Sequence, residues 1–227
     1  MEKYTITPVG YINNAYKEKF GIPRQSGLTN NLMSKIVFEK EFSSKEYFKG
    51  LENFTHIWIL WLFTETMCKD ITPTVRPPKL GGNERMGVFA TRSPFRPNHI
   101  GLSSVKIEKI DYDEQVGVIL YVSGADLMDN TPIIDIKPYL PYTDCRPDAS
   151  NGFALDDING ILEIKCGDEI LEKIPIDLVD GLFETLKHDP RPSYHNDSER
   201  IYGMSFEDVQ VKFMVSKNIL EIIDIQQ

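Results

Sequence analysis

Cysteine is scarce in this 227-residue chain: there are three, Cys68, Cys145 and Cys166. An odd number at such wide spacing excludes a disulfide framework and supplies no zinc ligand set. The four histidines, His56, His99, His188 and His195, show no metal-ligand spacing either, so no metal is expected. Long apolar runs are missing as well. The longest covers residues 57–63, IWILWLF, far short of the roughly 20 residues that a membrane-crossing helix needs. The opening MEKYTITPVG has no apolar stretch of signal-peptide length. A cytoplasmic protein without a membrane partner is therefore expected. There is no glycine-rich dinucleotide fingerprint between a strand and a helix, no P-loop and no nucleophile elbow. The pair Asp156 and Asp157 sits in a polar, turn-rich stretch and is expected to be solvated.

What is present suits one large domain, or one domain with a small appendage. Hydrophobic residues make up 41% and charged residues 26%, enough to build a core without covalent staples. The net charge of −9 argues at first against a nucleic-acid partner. Its distribution changes that. Between Thr72 and Lys106 lie six basic residues (Arg76, Lys79, Arg85, Arg92, Arg96 and Lys106) and a single acid, Glu84, so this window carries +5 and the remainder −14. A cationic stripe on an acidic body is compatible with a local polyanion site.

Along the chain, period-two alternation and strand-forming residues predict strands over residues 4–12, 35–42, 54–63, 87–91, 103–107, 105–110, 116–122, 161–165, 209–215 and 220–225, and residues 126–142 read as a turn, an apolar strand and a Pro/Tyr loop. The segment 54–63 is apolar at nearly every position and reads as a strand buried on both faces, or as one face of a core plus an interface. A short helix is expected over residues 45–51, started by a capping box of Ser43 and Glu46, and a second over 177–188. Residues 111–114 form a hairpin turn. Strands in succession with few helices between them favour an antiparallel or mixed barrel over a doubly wound sheet. The best boundary is RPDASNGFALDDING, residues 146–160. The prediction is mainly β (α+β): a single-sheeted barrel over residues 1–147 and a small α+β domain over 148–227.

The chain is organised around residues 85–103, RMGVFATRSPFRPNHIGLS. Arg92 and Arg96 each stand next to a proline-stiffened segment, where neither helix nor strand can continue. A stiff loop that carries two arginines at a strand end suits an anion or a planar ligand. The tyrosines at 139, 142 and 194 could stack on bases.

This stretch, followed by DNTPIIDIKPYLPY, resembles the TsaA-like family. The likeness takes in VGYI, YKEKFGIPRQSGL, GLENFTHIWIL, RPPKLGGN and the late DPRPSYHNDSERIYGM, which resembles the small C-terminal domain of bacterial members. The resemblance implies an S-adenosylmethionine-dependent methyltransferase built on a β-barrel, acting as a homodimer. Its substrate would be tRNA carrying N6-threonylcarbamoyladenosine beside the anticodon, methylated on the exocyclic nitrogen. Cofactor contacts are implied at Gln25, Ser26, Gly27, Leu28, Glu65, Thr66, Arg92, Leu102 and the turn of Asp129, Asn130, Thr131, Pro132 and Ile133. Arg92 could grip the donor's carboxylate in a forked pair. Two departures stand out. His99 occupies the second proline of the family's Arg-Pro-Asn-Pro, which loosens one φ angle. Asn130 replaces a turn glycine, a position that asparagine tolerates.

Methylation of a carbonyl-conjugated nitrogen needs a proton acceptor within about 3 Å. Asp135, directly after the cofactor turn, is the first choice, with Asn98 and Tyr142 behind it. Lys137 suits the threonyl carboxylate or a phosphate, and Arg76, Arg96 and Arg191 are tRNA-contact candidates. The alternative is a non-catalytic β-barrel RNA-binding module.

Overall fold

The computed structural model describes residues 2–67, 71–77, 80, 83–153, 161–192 and 197–226. Eight strands occupy the first two-thirds: β1 (Gly10–Asn13), β2 (Met33–Phe38), β3 (His56–Leu62), β4 (Thr74–Val75), β5 (Met86–Gly87), β6 (Ile100–Asp113), β7 (Gly117–Ser123) and β8 (Thr131–Pro138). Six of them close into a barrel in the order β1-β2-β7-β6-β3-β8, antiparallel throughout. β4 and β5 pair only with each other, in the long connection between β3 and β6. Successive side chains on a strand point to opposite faces. The alternation therefore puts Ile36 and Phe38, Ile57, Ile59 and Trp61, and Val118, Leu120 and Val122 inside the barrel. Each such side chain contributes roughly 1.5–3 kcal/mol on burial.

Local chemistry moves several predicted boundaries. β3 is not buried on both faces: its even positions, Trp58, Leu60 and Leu62, are only half-buried. The strand predicted over residues 87–91 stops at Gly87. A 3-10 turn (Val88–Ala90) follows, because the Val88 N–H goes to Pro73 and the Thr91 hydroxyl takes the Val88 carbonyl at 2.8 Å. The helix after β2 is a single turn, Lys45–Phe48, ended by Gly50 at φ 93. Its capping box does not form; the Ser43 hydroxyl donates instead to the Lys40 carbonyl at 3.1 Å. β6 runs on to Asp113, whose carboxylate caps the Gln115 and Val116 N–H groups at 2.8 and 2.9 Å and shifts the hairpin tip to residues 114–116.

The second unit is a four-stranded sheet of β9 (Glu163–Cys166), β10 (Tyr202–Phe206), β11 (Val209–Ser216) and β12 (Ile219–Gln226), ordered β10-β11-β12-β9, with β9 parallel to β12. β10 and the short helix Asp168–Leu171 went unpredicted from the sequence. The helix Val179–Lys187 lays Leu182 and Leu186 on the sheet, both fully buried. Cys68, Lys79, Asp156, Asp157, Tyr194 and His195 lie outside the described residues. Among the described residues no helix is long and apolar enough to cross a membrane.

The core of this second unit is not made by it alone. Ala15, Tyr16 and Leu32, from the loop after β1, belong to the same apolar cluster. The Tyr16 ring meets Phe206 edge-on, and its hydroxyl lies 3.1 Å from both Thr29 Oγ1 and Thr185 Oγ1. Burial raises the Tyr16 phenol above its ordinary value, so it remains a neutral hydroxyl. Tyr16→Phe should cost about 1 kcal/mol, the worth of a typical hydrogen bond. Tyr16→Ala should cost about 3–5 kcal/mol through the cavity it leaves. Urea unfolding midpoints measure both, and equal losses would mean that the hydroxyl, not the ring, holds the loop.

Candidate active site

A cavity of about 560 Å³ opens at the barrel end where β3 stops and β6 starts. The loop of residues 19–26, the 3-10 turn Thr64–Thr66, the arginine loop and the β7–β8 connection complete its wall. Trp58, Trp61, Leu62, Ile100 and Leu102 give it an apolar side. Lys19, Arg24, Arg92 and Arg96 bring positive charge, against Glu65 and Asp126.

The arginine loop is stiffened by more than its prolines. Arg96 Nη1 donates to the Thr91 and Ser93 carbonyls at 3.0 and 3.4 Å, which fixes that side chain inside its own loop. Arg92 instead reaches across the cavity mouth to Gln25 Oε1. His99 sits at φ 50, a value that a proline ring cannot adopt. The substitution therefore does more than loosen one angle. The His99 carbonyl accepts from Phe63 N–H at 2.8 Å, and His99 Nδ1 lies 3.0 Å from the Pro94 carbonyl and 3.2 Å from Thr66 Oγ1. His99 thus ties the two loops that flank the cavity. Asn130 takes φ 59, and the turn keeps the shape that glycine would give it.

A second chain of contacts runs behind the cavity. Trp61 lies flat on Gly101, where a Cβ would come within 2.3 Å of the indole. Its Nε1 donates to the buried Ser103 hydroxyl at 3.0 Å, and that hydroxyl donates to Asp126 Oδ1 at 2.5 Å. Burial pushes the Asp126 carboxyl above its ordinary value, against the opposing pull of the Ser103 hydroxyl, the Asp126 and Ser26 N–H groups and the Arg92 charge.

Of the residues implied by resemblance, Gln25, Ser26, Glu65, Thr66, Arg92, Leu102 and Thr131 line this one cavity. The others stand behind it. Gly27 docks its N–H on Gly124 at 2.9 Å, and Leu28 is half-buried beside it. The Asp129 carboxylate accepts from Asn14 N–H at 2.9 Å and pairs with Lys17 at 3.1 Å, contacts that brace the turn. Pro132 and Ile133 are buried in the barrel. Asp135 faces outward across from Leu60 and pairs with Lys137 at 2.8 Å, outside the cavity lining. Asn98 and Tyr142 are exposed and do not line it. Of the tRNA candidates, Arg96 lines the cavity, Arg76 is exposed, and Lys137 is exposed beside Asp135. Arg191 is spent on a forked pair with Asp189, at 2.8 and 2.9 Å, with only 12% of its side chain exposed.

Sequence reasoning missed Asp126, Ser103, Trp58, Trp61, Lys19 and Arg24. For Asp126 a signal existed: an acidic residue set between Ala125 and Leu127 in the apolar stretch that ends β7, where a lone carboxylate is rarely buried without a purpose.

Fold and cavity together define a β-barrel protein with a mouth pocket that has an apolar, aromatic side and charges of both signs. Comparison with known proteins narrows this class to one family. Residues 11–145 match the tRNA-methyltransferase O N-terminal domain and residues 162–227 the TrmO C-terminal domain. The chain belongs to the tRNA-methyltransferase O family. It is 38% identical over 234 residues to the tRNA (adenine(37)-N6)-methyltransferase of Escherichia coli, covering 100% of this chain and 99% of that one. It is 35% identical over 230 residues to a putative S-adenosylmethionine-dependent methyltransferase, RcsF, of Pseudomonas aeruginosa, covering 98% and 97% of the two chains. A crystal structure of TrmO superposes with a TM-score of 0.81 at 31% identity and full coverage of both chains.

The raised Asp126 carboxyl has a stability signature. A carboxyl that binds its proton more tightly in the folded chain than at the ordinary 3.8 favours folding while protonated. That contribution is complete below the unfolded value and is lost as pH rises through the folded one. Asp126→Asn should flatten this slope. Urea midpoints from pH 4 to 7 should fall more steeply for the parent chain than for the variant, and parallel curves would mean that Asp126 titrates normally.

Proposed function

We propose that this protein transfers the methyl group of S-adenosylmethionine to the exocyclic N6 of adenosine 37 in tRNA, and that the base it accepts is N6-threonylcarbamoyladenosine. The mouth cavity carries this reading. Its apolar wall of Trp61, Leu62, Ile100 and Leu102 suits an adenosine. Its charged side, with Arg92 and Asp126, suits an amino-acid tail. When bound, the donor supplies a sulfonium-activated methyl group, which needs no Lewis acid, and no metal dependence is expected.

The chain's own residues would then divide the work. The barrel, residues 1–147, holds donor and target base, while the C-terminal domain, residues 148–227, extends the tRNA-binding surface. Arg92 holds the donor carboxylate. Asp135, on the outer barrel face two positions from Lys137 and across from Leu60, receives the N6 proton from a base stacked over that face. Trp58, which lines the cavity, and Tyr139, 5.4 Å from it, offer flat surfaces for an unstacked base. Such a protein works as a homodimer in the cytoplasm, where its tRNA substrate is found.

Labelled methyl transfer to tRNA with or without the threonylcarbamoyl group tests the reading. Product should form on the modified tRNA alone. Equal methylation of both would remove the base assignment, and methylation of neither would remove the activity. Asp135→Asn should retain donor and tRNA affinity but lose about 10²-fold or more in single-turnover rate. A rate near the parent's would assign Asp135 to the Lys137 ion pair alone.

A further inference from the structure

Asp126 and Arg92 line one cavity with opposite charges, yet neither is spent on the other. Arg92 is held by Gln25, on the 19–26 loop. Asp126 is held by Ser103, on β6, which is itself fixed by Trp61. Each charge thus has its own anchor on a different element, and the guanidinium still reaches the carboxylate through its field. The loop between them is fixed as well: Gly27 N–H donates to the Gly124 carbonyl at 2.9 Å, and Ser104 N–H to Ser26 Oγ at 3.2 Å. A pocket for a bare phosphate would gather cations and exclude a carboxylate. A fixed cation and a fixed anion held apart within one cavity suit a ligand that presents both charges, and an α-amino acid does so one carbon apart.

We propose that Asp126 binds the α-ammonium group of the methyl donor while Arg92 binds its carboxylate, so that the two read the amino-acid end as a zwitterion. The proposal rests on the reading of this cavity as the donor site. Hydrogen-bonding capacity favours the ammonium over the donor's sulfonium. A carboxylate has about four acceptor positions; the Ser103 hydroxyl takes one at Oδ1, and the Asp126 and Ser26 N–H groups also donate to it. An ammonium brings three N–H donors to the rest, whereas a sulfonium brings none. Asp126 therefore separates ligands with a protonated amine from those without one, and is blind to whether the sulfur carries its methyl.

Calorimetric titration of the full chain and of Asp126→Asn tests this with S-adenosylmethionine, S-adenosylhomocysteine and 5′-methylthioadenosine. The first two share the amino-acid end, and the third lacks it. Asp126→Asn should weaken the first two by the same factor, about tenfold or more, and leave the third unchanged. Ser103→Ala, which keeps the carboxylate but removes its hydroxyl anchor, should repeat the pattern with a smaller factor. It carries the test should Asp126→Asn fail to fold. A loss confined to S-adenosylmethionine would assign Asp126 to the sulfonium and overturn the proposal. A loss shared by 5′-methylthioadenosine would make Asp126 a shaper of the pocket and overturn it equally, as would no loss at all. If the parent chain binds none of the three, the donor reading itself fails.

Discussion

The contact between Trp61 and Gly101 governs the working end of this molecule. An indole can lie against a strand backbone only where no side chain intervenes, and a Cβ at position 101 would come within 2.3 Å of the ring. With the ring seated there, Trp61 Nε1 meets Ser103, and Ser103 in turn fixes Asp126. One bare Cα thus sets the orientation of a carboxylate 25 positions further along the chain. The same seat brings Trp61 to within 4.2 Å of the Phe63 ring, where β3 gives way to the turn that carries Glu65 and Thr66. A methyl group in this place would disturb both charged and apolar walls at once.

The loop after β1 is where the two units become one machine. It supplies cavity wall at residues 19–26 and core to the C-terminal sheet through Ala15 and Tyr16. Polar contacts fix it along its whole length. Glu207 N–H donates to the Ala15 carbonyl at 2.8 Å, Ser205 N–H to Glu18 at 2.6 Å, and Asn31 N–H to Glu184 at 2.7 Å. Lys17 bridges Glu207 of the C-terminal sheet to Asp129 of the barrel turn, at 3.2 and 3.1 Å. Arg24, a cavity residue, donates to the Asp189 and Arg191 carbonyls. Half-exposed ion pairs of this kind are each worth little, but together they hold a loop that is otherwise long and irregular. Among the described residues, the C-terminal unit therefore shapes the cavity without lining it.

Strand periodicity made the barrel legible, because one buried face per strand writes itself as alternation. β10 escaped because YGMSF mixes a glycine and a serine into a short strand. Its burial does alternate, with Tyr202, Met204 and Phe206 inside, but five residues with a glycine among them leave a short and weak strand signal. The capping box failed for a related reason: Ser43 had a closer partner in Lys40 than the helix it was expected to cap. Around the cavity, the residues named by family likeness fall into two sets, those that line it and those, such as Asp129, that hold the lining in place. A sequence gives both sets the same weight. Asp126 stayed hidden because its significance lies in Ser103 and Trp61, on strands far from it in the chain.

The charge distribution reconciles an acidic protein with an anionic partner. Of the six basic residues between Thr72 and Lys106, several are already committed at short range. Arg96 is bound within its loop, Arg85 donates to Thr74 at 2.8 Å, and Lys106 pairs with Glu108 at 3.0 Å. Such pairing removes little of the long-range field of the arginines, whose partners are neutral, and most of that of Lys106, whose partner is not. The positive potential therefore concentrates at the cavity mouth, where Lys19, Arg24, Arg92 and Arg96 outnumber Glu65 and Asp126. These six sum to +2, so the rest of the chain carries −11 and is on balance unfavourable to a polyanion. Positive charge gathered at one mouth of an acidic body favours one approach of a polyanion over others, which a uniformly basic surface would not do.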